Sequence, residues 1–354
     1  MAVTPGGNFY IESSDLVANY PATSLAIANR LDKYALNPYT DATERDFLIQ
    51  FPVQGQLAQT LDDNKAWKYD GTAWAPFSSA GNAVFAEAAT GTYSTGGFDY
   101  KYWVFTGTST LTCTTDGVCD VFAIGGGGSG SGGGGFGTGG GGGGGGGWLE
   151  CEALPVEGTV RILVGAGGVP SVTSTQPTYG MGYATLVTSD NDVSAVGLGG
   201  GAGGTYALDG SPGGNGGGAG PDQSVVDHSG GSALLPVGYA GGNSTGSVNR
   251  PAGGGGGAGT VGANTSGSTA GAGGAGKNSS YNNNIPTTYG GGGGGGAYSA
   301  GGGTAAAGGS GGGGNGSNTT TGTAGTANLG AGGGGGQSGG GNGGSGFVVV
   351  RVKY

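Results

Sequence analysis

The last eight residues of the chain form an apolar, valine-rich run that predicts a β-strand. Similar runs and apolar–polar alternation predict further strands within residues 100–105, 111–113, 118–124, 148–168 and 182–189. An apolar strand has to be covered along its edges. We therefore expect the C-terminal run to pair with a strand such as 118–124 or 160–164, which would return both ends of the intervening segment to one framework.

A helical pattern occurs near the N-terminus. Leu25, Ala28, Leu31 and Ala35 recur at intervals of three and four, which predicts a helix over about residues 23–36. So short an amphipathic helix cannot bury its apolar face alone. We expect it to dock on another chain or on copies of itself.

The next segment, residues 42–77, predicts a small β-module with alternating strands and an Asp-Gly turn. Trp67 and Trp74 could form a sugar-stacking platform, but large aromatics supply most of the burial available to so small a unit, which favours a core role. The pattern "ATERD…FPVQGQLA…DDNKAWKYDGTAWAPF" is similar to a short module common in bacteriophage tail-fibre and other virion appendage proteins.

Glycine dominates the remaining chain. It accounts for 97 of 354 residues, and all but ten of these lie between positions 125 and 346. Such a composition is typical of flexible linkers and disorder. Against this interpretation, the segment is bracketed by strands, carries little charge, and arranges its glycine in runs such as 139–147, 253–257, 290–296 and 332–336.

Glycine runs also have a route to ordered structure. A polyglycine II-like helix has three residues per turn, and its backbone groups point outward. Such helices can lie side by side and hydrogen-bond laterally, provided that no large side chain separates them. The fold class predicted is therefore mainly β: a short N-terminal helix, a small β-module, and a β-framework with packed polyglycine II-like helices.

Three pieces of sequence in a fixed order carry a second resemblance. The frame "VFTGTSTL…DVFAIGGGGSGSGGGG", "LPVEGTVRILVGAGG" and "GGNGGSGFVVVRVKY" resembles the glycine-rich C-terminal domain of phage tail fibres and receptor-binding adhesins, over about residues 100–354. The resemblance implies glycine helices packed beside a β-framework, variable loops that contact the host surface, and a homotrimer.

Charge and composition exclude several functions. The net charge is −10, with 21 acidic and 11 basic residues, whereas binding of nucleic acid needs a basic surface. No apolar run has the length of a transmembrane helix, and the first residues lack the pattern of a secretory leader. Residues 271–277 resemble a phosphate-binding loop, but Asn278 replaces the required Ser or Thr, so no nucleotide or other cofactor is expected.

Catalytic and metal chemistry is sparse. The single histidine, His228, lies beside Asp227 and near Ser229, but adjacent loop residues do not make a triad, and no metal site or enzyme is expected. Cys113 and Cys119 flank an Asp-Gly turn in a hairpin-like stretch. They could form a disulfide or remain free, and Cys151 would be left over.

Polar breaks between the glycine runs are the candidate contacts, since Tyr and Asn combine rigid contact area with hydrogen bonding. The leading candidates are Tyr281, Asn282, Asn283, Asn284, Tyr289 and Tyr298. Solvated turns without a binding role are the alternative for each of them.

The sequence thus predicts a virion attachment segment (1–40), a β-module (41–80), a linker (81–97) and a distal glycine-rich domain (98–354). The predicted function is that of a bacteriophage tail fibre or adhesin on the virion, bound to other virion proteins through its N-terminus. Its distal domain would attach to a host glycan or outer-membrane protein. A structural head fibre or decoration protein is the main alternative; an ice-binding protein and a polysaccharide depolymerase are weaker ones.

Overall fold

The computed structural model describes residues 2–3, 9–10, 37–49, 52, 54, 56–60, 65–78, 81–134, 137–170, 180–191, 194–222, 226–234, 238–246 and 250–354. The helix predicted at 23–36 lies outside these residues. The fold is mainly β, as predicted, with several antiparallel sheets and one short α-helix among the described residues.

The N-terminal part contains two small sheets. Strands β1 (Ala2–Val3) and β2 (Phe9–Tyr10) pair with each other, and a four-stranded sheet has the order β3 (Asn37–Tyr39), β4 (Leu57–Thr60), β5 (Lys65–Tyr69) and β6 (Trp74–Ser78). Helix α1 (Ala42–Leu48) packs beside the four-stranded sheet. It is capped by Asp41, which accepts a hydrogen bond from the Glu44 N–H. This helix lies within the segment for which the sequence predicts only strands and turns.

The two tryptophans of this unit contact one buried cation. The guanidinium of Arg45, which is 4% exposed, lies 4.8 Å from the ring centroid of Trp67 and 4.9 Å from that of Trp74. Both rings are partly buried. They pack within the unit, as the core interpretation predicts.

Two five-stranded sheets form a sandwich. The first has the order β12 (Trp148–Val156), β11 (Gly117–Ile124), β18 (Phe347–Lys353), β9 (Phe98–Phe105) and β8 (Gly91–Thr95). The second has the order β15 (Ser194–Gly197), β14 (Thr185–Thr188), β13 (Thr159–Leu163), β10 (Ser109–Thr115) and β7 (Val84–Phe85). Strands β16 (Lys277–Ser279) and β17 (Thr287–Tyr289) form a hairpin that is not hydrogen-bonded to either sheet as a further strand.

The C-terminal strand lies in the middle of the first sheet. It pairs antiparallel with β9 and β11, and Phe347 lies directly opposite Ile124. The prediction that this run pairs with 118–124 is therefore confirmed, and residues 125–346 leave and re-enter the sheet at neighbouring positions. Residues 347–350 of this strand are all apolar because the first sheet is covered on both faces there.

Two apolar cores lie on either side of this sheet. Val121, Val348 and Val350 face the second sheet and pack with residues such as Leu111 and Ile162. The opposite face carries the second core, which consists of Tyr102, Phe122, Ile124, Tyr281, Tyr289, Phe347 and Val349. The β16–β17 hairpin thus covers the outer face of the first sheet.

The hairpin predicted around Cys113 and Cys119 is wrong. These residues lie on β10 and β11, which belong to different sheets, so the Asp-Gly turn connects the two layers of the sandwich instead of two paired strands. All three cysteines are free thiols. Burial is the main cause that raises the pKa of each, to about 11 for Cys113.

Lateral hydrogen bonds order the glycine-rich segment. Residues 139–147 run through its middle and donate to three neighbouring segments, to each at every third residue. The first set of bonds joins Gly139, Gly142 and Gly145 to the carbonyls of Arg250, Gly253 and Gly256, and the second joins Gly141, Gly144 and Gly147 to those of Gly204, Gly201 and Leu198. The third joins Gly143 and Gly146 to the carbonyls of Gly333 and Gly330. The expected lateral bonding is present with a three-residue period; the polyglycine II conformation itself stays a prediction.

Close backbone contact explains why these runs exclude larger residues. A Cβ added at Gly143 would lie 2.2 Å from the carbonyl oxygen of Gly128, and one added at Gly335 would lie 1.9 Å from that of Gly140. Both obstacles are backbone atoms, which cannot turn aside as a side chain does.

Candidate functional site

The glycine-rich segments, here called passes, alternate in direction. The pass that leaves β11 bonds antiparallel to the pass that enters β12, through Gly128 N–H to the Gly144 carbonyl and Ser131 N–H to the Gly141 carbonyl. The last two passes repeat this arrangement before β18, with Gly341 bonded to Gly334 and Gly344 to Ala331. Successive turns therefore alternate between two ends of the glycine-rich segment. One is the framework end, next to the sheets, and the other is the opposite end.

Turns at that opposite end form what we call the distal face. Its described residues lie within 132–138, 205–209, 221–228, 245–250, 266–269, 298–304, 317–321 and 337–339. Hydrogen bonds join neighbouring turns into one continuous surface: Ser299 N–H donates to the Asn318 carbonyl, Ser338 N–H to that of Thr320, and Gly133 N–H to that of Gln337. The turns are held relative to one another by backbone bonds.

Two of the six predicted contact residues are buried. Tyr289 is 2% exposed, and its ring packs 4.7 Å from Phe122 and 5.6 Å from Phe347, measured between centroids. Tyr281 is 6% exposed and lies under the guanidinium of Arg351. The expectation that these tyrosines are accessible loop tips is wrong, because both rings belong to the core on the outer face of the first sheet.

The asparagines between them lie at the framework end. Asn283 and Asn284 are exposed at the turn of the β16–β17 hairpin, and each has a φ of 54°, a left-handed conformation that Asn tolerates better than most residues. Asn282 precedes them and is partly buried. Their role as contacts stays a prediction, on a different surface from the distal face.

Tyr298 is the one predicted contact residue on the distal face. It precedes a short 3₁₀ helix, Ser299–Gly301, and its ring lies 5.6 Å from the guanidinium of Arg250. Arg250 also donates to the Gly137 carbonyl at 3.0 Å, which ties two distal turns together.

Sequence reasoning missed a cluster around His228. Its Nδ1 lies 3.6 Å from an oxygen of Asp209, and its Nε2 lies 3.7 Å from an oxygen of Asp222. The neighbouring residue Asp227 instead accepts the Gly246 N–H at 3.0 Å. Asp222 and His228 lie in one distal turn and Asp209 in the distal turn before it, so only the direction of the passes could have signalled the cluster.

Charge in the glycine-rich segment is concentrated on this face. Between positions 201 and 346 the charged residues are Asp209, Asp222, Asp227, Arg250 and Lys277. All of them except Lys277, which begins β16, lie in distal turns. The face combines carboxylates, hydroxyls, amides and the aromatic rings of Tyr206 and Tyr298, a set suited to polar recognition.

Among the described contacts, the residues around His228 do not form a catalytic triad. Ser229 N–H donates to Asp209, and its hydroxyl makes no bond to His228 among the described contacts. No group of three or more His, Cys, Asp or Glu side chains among the described residues is placed to hold a metal ion. Within the same residues, no helix is long and apolar enough to span a bilayer.

Comparison with known proteins agrees with the architecture. The model of a family described as "Glycine-rich domain" matches residues 104–353, which include the sandwich strands from the end of β9 onward and every glycine-rich pass. No curated protein matches the sequence. Because the family match spans well over half of the chain, the protein belongs to the glycine-rich domain family.

Proposed function

We propose that the protein is a bacteriophage tail fibre or receptor-binding adhesin that attaches a virion to its host by non-catalytic, multivalent binding through the distal face. The observation that carries this proposal is the collection of the polar and charged turns of many passes on one surface. Glycine-only passes offer a partner almost no side-chain chemistry, so recognition falls to the turns.

The orientation of the domain supports the proposal. The passes leave the sandwich at Ile124 and return at Phe347. The N-terminal unit contacts the opposite end of the sandwich, where Lys68 and Glu157 form an ion pair at 3.0 Å. An N-terminus attached to other virion proteins would therefore point the distal face away from the particle.

Rigidity supports it as well. Backbone bonds between passes fix the turns before any partner arrives, and preorganised groups lose less entropy on binding. Several copies on one particle, as a homotrimer or as an array of fibres, would add avidity to weak single contacts. Candidate receptors remain a surface glycan and an outer-membrane protein.

Binding of the purified full chain to a panel of bacterial cells tests the proposal. Two matched variants separate the candidate surfaces: a distal variant with Tyr298→Ala and Asp227→Asn, and a hairpin variant with Asn283→Gly and Asn284→Gly. Glycine suits the left-handed turn at both hairpin positions. We expect saturable binding that the distal variant weakens and the hairpin variant retains.

Other outcomes are equally informative. Loss of binding in the hairpin variant alone would move the contact to the framework end. Absence of binding to every cell type, by a chain shown to be folded, would favour a structural head fibre or decoration protein.

A further inference from the structure

The passes at the outside of the glycine-rich segment are bonded differently from those inside it. In the central pass, every N–H of residues 141–147 donates to a backbone carbonyl of a neighbouring pass. A pass at the outside has neighbours on fewer sides, so its N–H groups meet fewer carbonyls. These outer passes include residues 229–234, 239–246, 261–265, 304–309, 313–318 and 322–327.

Side-chain oxygens accept several of the outer N–H groups. Asn243 Oδ1 accepts the Gly230 N–H at 2.9 Å, and Asn264 Oδ1 in turn accepts the Asn243 N–H at 2.8 Å. Asp209 accepts the Ser229 N–H in the same way at 2.8 Å. The three acceptors form one row across adjacent parts of the segment, and all three residues are exposed.

A second row has the same arrangement. Asn315 Oδ1 accepts the Gly308 N–H at 2.9 Å, and Thr323 Oγ1 accepts the Asn315 N–H at 2.6 Å. Asn315 and Thr323 are exposed as well. Both rows therefore pair a short polar side chain of one outer pass with a backbone donor of the next.

The outer passes also carry β-carbons on exposed residues at every third position. The members of two such sets are Thr304, Ala307 and Ser310, and Thr320, Thr323 and Thr326. Inside the segment, a β-carbon at Gly143 would lie 2.2 Å from a backbone oxygen. A further layer of passes therefore could not pack on these residues as closely as the passes pack on one another.

Unpaired backbone donors on an ordered surface invite association. The exposed edge of a β-sheet pairs with other chains, and natural proteins prevent this with polar side chains and bulk at the edge. An outer pass presents the same kind of edge. A second copy of this chain carries passes with the matching carbonyls, so the partner that fits this edge is another copy.

We propose that the outer asparagines and threonines confine the packing of passes to one chain. They occupy the outer N–H groups and prevent a second copy from packing its own passes against them. The proposal does not depend on host attachment, because Asn243, Asn264 and Asn315 lie outside the distal turns.

Light scattering of the purified full chain tests this proposal with two triple variants. The open variant replaces the three asparagine acceptors by glycine, the residue that the passes already use: Asn243→Gly, Asn264→Gly and Asn315→Gly. The matched control replaces three exposed asparagines whose side chains accept no backbone N–H among the described contacts: Asn283→Gly, Asn284→Gly and Asn342→Gly.

The two variants should differ in mass. We expect the mass of the open variant to rise with protein concentration to at least about twice that of the unchanged chain, since a contact between identical surfaces joins copies in pairs or larger assemblies. The control should keep the mass of the unchanged chain. Hydrogen exchange gives a local readout: the amides of Gly230, Asn243 and Gly308 should exchange faster in the dilute open variant and slow again as copies associate.

A third variant separates association from loss of the fold. It keeps an oxygen for each donor, as Asp209 does for Ser229, and about 0.5 M NaCl screens the added charge. Its substitutions are Asn243→Asp, Asn264→Asp and Asn315→Asp. We expect it to keep the mass of the unchanged chain and the slow exchange of the same amides.

Three results would overturn the proposal: a folded open variant that keeps its mass up to about 0.1 mM, equal association of the control, or equal association of the aspartate variant. If the open variant does not fold, Asn264→Gly alone decides the question, because it frees only the Asn243 N–H. Fast exchange of that amide at every concentration, without association, would refute the proposal equally.

Discussion

The guanidinium carbon of Arg351 lies 3.6 Å from the centroid of the Tyr281 ring, and the Nε of the same residue donates to Asp120 at 3.0 Å. Arg351 is on the last strand, Asp120 is on β11, and Tyr281 belongs to the hairpin that covers them. One side chain thus joins the strand that ends the glycine-rich segment, the strand that begins it, and a loop from its middle. A third contact, from Arg351 to the Tyr93 hydroxyl at 3.0 Å, adds the edge strand β8.

Loss of this cation should strongly destabilise the domain. Arg351→Ala leaves Asp120, whose side chain is 13% exposed, without its ion-pair partner, and removal of one member of a buried pair costs about 3–5 kcal/mol. We expect the denaturant midpoint to fall accordingly. Arg161→Ala is the matched control, because its pair with Asp190 is exposed and should contribute far less. Equal losses in the two variants would contradict the assignment of Arg351 as the link.

Alanine in the central pass should also destabilise the domain. At Gly143 the added methyl group would lie against the Gly128 carbonyl, and overpacking of this kind costs about 1–3 kcal/mol. Gly107→Ala is the control, since nothing lies within 4 Å of a Cβ built there. Thermal unfolding of both variants measures the difference. A Gly143→Ala protein as stable as Gly107→Ala would mean that the passes are not in close contact.

Asn215 should be essential to packing inside the glycine-rich segment. Its Nδ2 donates to the carbonyls of Gly145 and Gly146, and its Oδ1 accepts the Tyr239 N–H. Asn215→Ala leaves these buried groups unpaired, at a cost of about 1–3 kcal/mol for such a group. Asn342→Ala changes an exposed asparagine in another pass and should be nearly neutral. Hydrogen exchange would localise the loss to the contacts of Asn215.

Stability should decline at alkaline pH. Burial raises the pKa of Tyr93, Tyr281 and Tyr289 above the ordinary value of 10. The unfolded chain then loses these protons first, so the free energy of unfolding falls as pH rises above about 10. Unfolding midpoints between pH 8 and 12 measure the slope.

Tyr281→Phe provides the control for that slope. It keeps the ring under Arg351 and removes one of the buried hydroxyls, so the alkaline decline should be shallower than in the unchanged chain. An identical slope would assign the pH dependence to other groups.

The strands of the framework were more predictable from the sequence than the residues of the candidate site. The position of β18 was predictable because an unbroken apolar run needs cover on both faces. The separation of Cys113 and Cys119 onto different sheets was not predictable. An Asp-Gly turn has the same sequence pattern whether the strands that it joins pair with each other or belong to different sheets. Tyr281 and Tyr289 were misread because tyrosines among asparagines resemble a solvated turn, and only the tertiary fold places their rings against Phe122 and Arg351.

The direction of the passes, more than their composition, determines which turns lie together on one face. Each pass reverses the one before it, so the turns divide into two sets. The sequence of a glycine run does not mark clearly where a pass begins and ends. The turns could therefore not be assigned to the two sets from the sequence alone. His228 and its two aspartates became neighbours only once the passes were in order.

The adjacency of Ile124 and Phe347 has an evolutionary consequence. After β15 the passes that lead to Phe347 add only the β16–β17 hairpin to the framework, and each outward turn is anchored by its own two passes. A lineage can therefore lengthen, exchange or delete such a turn while the strands keep their register. Natural variation in this protein should therefore accumulate mainly in the turns, while the glycine-rich passes stay unchanged.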